Sequence, residues 1–308
     1  MAFTDSPETK LVPNMPFADY CRAHGVNQSR LKLFDYDLGG CPELYQFATL
    51  HPDFDDDTEA RQVGRRYHHF ILEPDSFHRF YTVRTLDIET ELFEQAKLDP
   101  KCRAKGFSPN LGTYQRWKKE HEATGREVIT QDDSDVLHEM RMALMLNNEI
   151  MDELGACRPD QLEVSVFAPF TFDRGPHAGK RMQLKARLDL VPEGDALLDL
   201  KSARTVNERK FALQAYELGY AIQGAFYRDV ANFNGLNRKR FGFVAQEKSK
   251  PYLSCIHWID YWLGYGRQRY TTILSNLADA IVADKWPGPR SGQLTPPGFA
   301  MEEIEAAQ

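Results

Sequence analysis

The sequence predicts an α/β (α+β) fold in which a central mixed sheet is flanked by helices and preceded by a helical N-terminal region. Three observations carry that expectation. Between residues 161 and 201 the chain runs through three short segments with strand-like character, separated by turn residues. On both sides of that block apolar residues recur at helical spacing. From residue 136 onward the order reads helix, three strands, helix, two strands, helix.

Taken in order, residues 1–15 read as a loose, flexible tail. Phe17 to Phe34 reads as helical, with an N-cap at Asn27 or Ser29. Val63 to Leu72 is a second helix, stopped by Pro74. Residues 75–110 are mixed and charged, with turn signals at Asp99-Pro100 and Ser108-Pro109. Gln131 to Leu154 reads as one long amphipathic helix, with Val136, Met140, Ala143, Leu144 and Ile150 near helical spacing.

The pattern then changes. In 161–172, Leu162, Val164, Val166 and Ala168 alternate with Glu163 and Ser165, as a strand requires. A loop at 173–180 leads to a returning strand at 182–191. Pro192-Glu-Gly-Asp195 is a tight turn into a third strand at 196–201. A helix over 208–233 ends at Asn234-Gly235. Strands at 240–246 and 252–259 and a helix at 260–283 complete the pattern. The expected organisation is one domain over 16–285, with a helical part at 16–155 and a core at 156–285, and tails at 1–15 and 286–308.

Composition narrows the function classes. Of 308 residues, 42% are apolar and 27% charged, the range of ordinary globular proteins. No apolar run approaches the roughly 20 residues needed to span a bilayer, and Met1 to Lys10 lacks a secretory apolar stretch, so a soluble, cytoplasmic protein with no membrane partner is expected. The five cysteines are scattered and never form a C-x-x-C pair, which argues against zinc or iron–sulfur ligation. The net charge of −7 hides local contrasts. Acids gather at 53–57, 132–135 and 302–305, and bases at 101–105, 116–119 and 238–240, where each basic cluster suits a phosphate backbone.

The chemistry concentrates in Arg187-Leu-Asp189-Leu and Leu197-Leu-Asp199-Leu-Lys201. Strand residues two apart share a face, so Asp199 and Lys201 project together. The short turn at 192–195 keeps Asp189 on the neighbouring strand. Acids set among leucines are costly unless a cation compensates them, and a hard divalent ion with oxygen ligands does so. Such an ion, Mg²⁺ or Mn²⁺, polarises a phosphodiester and acidifies bound water, while a lysine offsets charge in the transition state. Glu163 is a candidate third carboxylate. Gln223 and Tyr227 share a helical face with Tyr216 and Tyr220, and an amide on an apolar face needs a partner.

These residues resemble a known family, the exodeoxyribonuclease VIII (RecE-type) nucleases of the PD-(D/E)XK superfamily, related to lambda-type exonuclease. The resemblance runs over roughly residues 17–285. It takes in Tyr20, Val26-Asn-Gln-Ser-Arg-Leu-Lys32, Gly64-Arg-Arg-Tyr-His-His-Phe-Ile-Leu-Glu-Pro74, Trp117, Gly125-Arg-Glu-Val-Ile-Thr130, Met140, Glu163, Asp189, Asp199-Leu-Lys201, Gln223-Gly-Ala-Phe-Tyr227 and Val244 to Tyr252. The resemblance implies a PD-(D/E)XK core in which Asp189 and Asp199 bind metal and Lys201 is the catalytic lysine. Glu163 would support the metal or its water, Gln223 and Tyr227 would belong to an active-site helix, and His68 would lie near the metal, although adjacent His69 competes for that role. Arg65 and Arg66 replace the small residues usual after the glycine; with Arg187 and Arg204 they are candidates for gripping phosphate. The implied activity is degradation of linear double-stranded DNA from 5′ ends by a ring-shaped homo-oligomer, beside a single-strand-annealing protein in phage-type recombination. An endonuclease of the same fold and a non-catalytic DNA-binding protein are the alternatives.

Overall fold

A computed structural model describes residues 3–51, 54, 58–155 and 157–292. Its elements are, in order, β1 (Lys10–Val12), α1 (Phe17–Arg22), α2 (Gln28–Phe34), α3 (Pro42–Leu50), α4 (Glu59–Leu72), α5 (Phe77–Phe80), β2 (Tyr81–Arg84), α6 (Leu86–Lys97), α7 (Gly112–Glu122), β3 (Glu127–Thr130), α8 (Gln131–Met145) and α9 (Asn148–Gly155). The core follows with β4 (Leu162–Thr171), β5 (Arg181–Leu190), β6 (Ala196–Ala203), α10 (Glu208–Glu217), α11 (Tyr220–Phe233), β7 (Arg240–Glu247), β8 (Ser254–Trp258) and α12 (Leu263–Ala283). A six-stranded sheet in the order β1-β4-β5-β6-β7-β8 is mixed: β6 and β7 run parallel, and the other neighbours are antiparallel. The parallel pair β2–β3 forms a small second sheet.

Helices cover both faces of the large sheet. On one face Leu197, Phe241 and Phe243 pack with Phe226 of α11 and Leu274 and Leu277 of α12. On the other, Leu198, Leu200 and Val244 pack with Tyr67 and Phe70 of α4 and Met140 and Leu144 of α8. Alternating strand residues feed the two cores in turn, which is why β6 reads as a continuous apolar run interrupted by Asp199.

Several boundaries depart from the sequence expectation, each for a local reason. The helix expected over 17–34 is two helices. Gly25 at φ +142° turns the chain, and Val26 docks on β5 by exchanging bonds with Gln183 and Lys185. Asn27 then caps α2 by accepting from the Arg30 amide at 2.8 Å. The expected long helix over 131–154 breaks after Met145. Asn147 starts α9 by accepting the Ile150 amide, and its amide group donates to the Ser254 carbonyl at 2.9 Å. The 208–233 helix is divided at Gly219, which is left-handed at φ +68°.

The segment read as a loose tail at 1–15 is tied down in its described part: the Thr4 amide donates to Arg181 O, and β1 extends the sheet along β4. At the other end Trp286 stacks on Tyr45 and Tyr36 donates to Gly288 O, while residues 293–308 lie outside the described residues. In the basic cluster at 238–240, Arg238 is spent inside the protein, whereas Lys239 and Arg240 are exposed. Buried Arg238 donates to the Pro192 and Gly194 carbonyls and staples the β5–β6 turn, and Arg240 stacks on Trp258 at 3.6 Å.

Candidate active site

The β5–β6 pairing makes the site possible. The two strands pair at Leu190 and Leu198 and then separate. Beyond that point β6 continues alongside β7 on its other edge through Ala203. The fork leaves backbone groups of β6 without strand partners, and Asp189 fills the opening: its Oδ2 accepts the Leu200 amide at 2.8 Å. A carboxylate substitutes here for a ladder carbonyl, so its position is fixed by the sheet itself.

Glu163 approaches from the opposite side of β5. It has φ +51°, a left-handed conformation that a glutamate rarely adopts and that marks a constrained position. Arg187 of β5 holds the Glu163 carboxylate through its Nε, while its Nη1 donates to Met15 O at 2.6 Å. Helix α4 supplies the third group. His68 Nδ1 stands 3.4 Å from Asp189 Oδ2 and 3.9 Å from Glu163 Oε1. One ligand atom from each of His68, Glu163 and Asp189 lies within 4.8 Å of the others.

Asp199 and Lys201 stand beside this trio on β6. Gln223 of α11 donates to Asp199 Oδ1 at 2.7 Å, and the other oxygen faces the Lys201 ammonium in an ion pair. The expected partner for the Gln223 amide is therefore Asp199. Lys201 lies 5.4 Å from the centre of the Tyr220 ring and 5.7 Å from that of Phe243. His68 thus reaches the fork from the helix layer on one face of the sheet, and Gln223 from the layer on the other.

Electrostatics follow from this crowding. Burial opposes ionisation of Asp189, and neighbouring Asp199 adds repulsion, so its carboxyl is pushed up to about 7 despite His68. Burial works against a charged His68, but the Asp189 and Glu163 carboxylates outweigh it and push the imidazole up to about 9. Glu163 is held below the ordinary glutamate range because His68 and Arg187 outweigh its burial. Lys201 is likewise held ammonium by Asp199 against the cost of burial. Burial, reinforced by Asp199, keeps the Tyr227 hydroxyl protonated, so it is a donor.

The residues present fit a divalent cation. Two carboxylate oxygens and one imidazole nitrogen converge, and the acids crowd one another as free anions do not. The grouping differs from the set read in the sequence. Asp189 and Glu163 are brought together with His68, whereas Asp199 is turned toward Lys201 and Gln223. Of the two adjacent histidines, His68 faces the acids, and His69 turns to the Tyr81 hydroxyl at 2.9 Å and stacks on Phe80.

The four arginines divide. Arg66 donates to Glu127 at 2.5 Å and 3.0 Å and lies 3.6 Å from Asp133, and Arg187 clamps Glu163, so both guanidinium groups are engaged within the protein. Arg65 hydrogen-bonds the Tyr81 hydroxyl. Arg204 is exposed at the end of β6.

The fold has recognisable counterparts. Residues 177–294 match the family described as a PDDEXK-like domain of unknown function (DUF3799). Across nearly its whole length the chain also superposes on a solved structure from Eubacterium rectale, described as a "Putative exonuclease". The match has a TM-score of 0.56 and 14% identity and covers 95% of this chain and 97% of that one. The fold is that of the PD-(D/E)XK nucleases. The forked strands β5 and β6 carry Asp189, Asp199 and Lys201, and α4 and α11 supply His68 and Gln223. No curated protein matches the chain by sequence. Among the described residues no helix is long and apolar enough to cross a membrane.

Proposed function

We propose that the protein is a divalent-metal-dependent deoxyribonuclease that degrades linear double-stranded DNA from its ends. One observation carries the reading: at a single opening in the sheet, a His68–Glu163–Asp189 cluster adjoins an Asp199–Lys201 pair anchored by Gln223. Phosphodiester hydrolysis needs charge neutralised at phosphorus, a proton removed from water and a stabilised leaving oxygen.

His68, Glu163 and Asp189 would hold the metal, with Asp199 beside that trio on β6. When bound, a divalent ion supplies Lewis acidity toward the phosphate and lowers the pKa of water. The protein's own groups do the positioning. Gln223 and Lys201 together fix the rotamer of Asp199. Lys201, held as an ammonium, donates toward the attacking water or a phosphate oxygen. Arg187 keeps Glu163 ionised and aimed into the cluster. Tyr227 adds a neutral hydroxyl donor on the α11 side.

The exonuclease reading, 5′ to 3′ polarity, a ring of identical subunits and an annealing partner in phage-type recombination rest on the family resemblance of the motifs. A ring also explains how a chain of net charge −7 takes up DNA, with basic side chains lining its channel. The deciding experiment compares end-labelled linear duplex with closed circular DNA, in Mg²⁺ and in EDTA. Loss of linear DNA alone, and in Mg²⁺ alone, is the expected result. Cleavage of closed circles would turn the assignment to an endonuclease, and binding without cleavage would turn it to a non-catalytic protein.

A second expectation concerns the metal by itself. Mg²⁺ at roughly 100 times its dissociation constant stabilises the fold by about 2.7 kcal/mol. Thermal melting with and without Mg²⁺ measures that increment. Asp189→Asn and Glu163→Gln should each abolish most of it, and an unchanged increment in both variants would remove the trio as the binding site.

A further inference from the structure

Lys32 points from α2 toward the same site, and none of the roles above uses it. Its ammonium lies 5.8 Å from the centre of the Tyr220 ring, on which Lys201 also rests at 5.4 Å. Two ammonium groups thus share one aromatic platform next to Asp199. The Asp199 carboxylate is already occupied by Lys201 and Gln223. Lys32 is half-buried, and among the described residues its ammonium forms no ion pair or hydrogen bond.

Helix α2 holds the residue in this place. Asn27 caps its first turn, and Leu31 and Phe34 on either side of Lys32 are buried in the main core. Burial and the neighbouring Lys201 push the Lys32 amine down to about 8. The side chain is therefore held, at a cost, where loss of water and a like charge both disfavour its ammonium form. An anion arriving between the two lysines would reverse that cost.

We propose that Lys32 and Lys201 form a two-ammonium clamp on one phosphate of the substrate strand, with Lys32 donating to a non-bridging oxygen of the reacting phosphodiester. The Tyr220 ring, near both ammonium groups, lowers the cost of holding them close to one another. The ligand class is a phosphodiester of a nucleic acid strand, so the inference rests on the nuclease reading. Lys32 is then a catalytic residue of that reaction, distinct from the groups around the metal.

The test uses the full chain and a short duplex in which single linkages near the end are replaced by neutral methylphosphonates. Lys32→Met should lower kcat/KM for unmodified duplex roughly 100-fold, the scale of a hydrogen bond to a charged group. The Mg²⁺ concentration for half-maximal activity and the melting temperature should stay at wild-type values. Lys32→Arg, which keeps a cation, should recover to within roughly tenfold of wild type. With Ca²⁺ replacing Mg²⁺ to prevent cleavage, wild type should lose roughly tenfold in affinity for one particular methylphosphonate position, and Lys32→Met should show no additional loss there.

Wild-type kcat/KM in Lys32→Met, or losses from variant and methylphosphonate that add in full at every position, would overturn the clamp while leaving the nuclease reading intact. A wild-type protein that neither binds nor cuts duplex would overturn both. Should Lys32→Met melt early, the same cycle on Lys32→Gln decides.

Discussion

Asp199→Ala is expected to reduce cleavage of linear duplex by roughly a thousandfold or more, and Lys201→Ala by a similar factor. The two side chains act as one unit. Asp199 is 2% exposed at its side chain and keeps Lys201 charged, while Lys201 balances a buried anion. Removing either leaves the other without its purpose, so the double variant should be little worse than each single one. The stability consequences differ. Lys201→Ala strands a buried carboxylate with Gln223 as its remaining partner, whereas Asp199→Ala releases a lysine that is about one-fifth exposed. Circular dichroism melting should therefore show Lys201→Ala as the less stable variant. Either single variant cutting at the wild-type rate with an unaltered melting curve would refute the assignment.

The second large effect is expected at a helix crossing. Helices α11 and α12 cross at Gly266, where an added Cβ would meet the Ala221 carbonyl oxygen at 1.9 Å and its carbon at 2.5 Å. Those atoms are backbone and cannot rotate away. Gly266→Ala should cost about 3 kcal/mol, the upper end of overpacking penalties, a fall in melting temperature of roughly 5–10 °C. It should also reduce activity, because relief of the clash shifts α12 against α11, the helix that carries Gln223 and Tyr227. Gly264, two residues earlier on α12, has nothing within 4 Å of its added Cβ. Gly264→Ala should thus be neutral or stabilise by up to roughly 1 kcal/mol. Equal melting curves for the two variants would show that the crossing is looser than described.

How far the sequence exposes this site depends on which residues obey a local rule. Asp199 and Lys201 are legible because strand periodicity survives around them and puts both on one face. Gln223 is legible as a polar side chain on an apolar helical face, and its need for a partner is met by Asp199. The core elements follow from the same periodicities, and the sheet order of the three strands β4 to β6 follows from their short turns. The grouping of His68 with Glu163 and Asp189 is implied by the family resemblance and not by local spacing, because it depends on the β5–β6 fork and on how α4 crosses β6. Nothing in local spacing announces a strand pair that opens after a single pairing at Leu190 and Leu198. The breaks at Asn147 and Gly219 had signals, an asparagine pair and a glycine, that the apolar periodicity on either side overrode. Arg66 and Arg187 illustrate a further limit: a basic residue near a motif reads as a phosphate ligand until its internal acceptors, Glu127 and Glu163, are seen. Lys32 has no local signature of a role, since only the fold brings α2 to the Tyr220 ring.

The first stretch of the described chain has a bearing on how the protein is handled. Gln183 exchanges bonds with Glu8, β1 lies along β4, and Met15 offers its carbonyl to the arginine that grips Glu163. Shortening the protein past that methionine, or forcing a bulky affinity tag against it, would tug on a carboxylate nearly 150 positions downstream. A preparation trimmed for crystallisation at this end should consequently be checked for ion uptake before its inactivity is blamed on anything else.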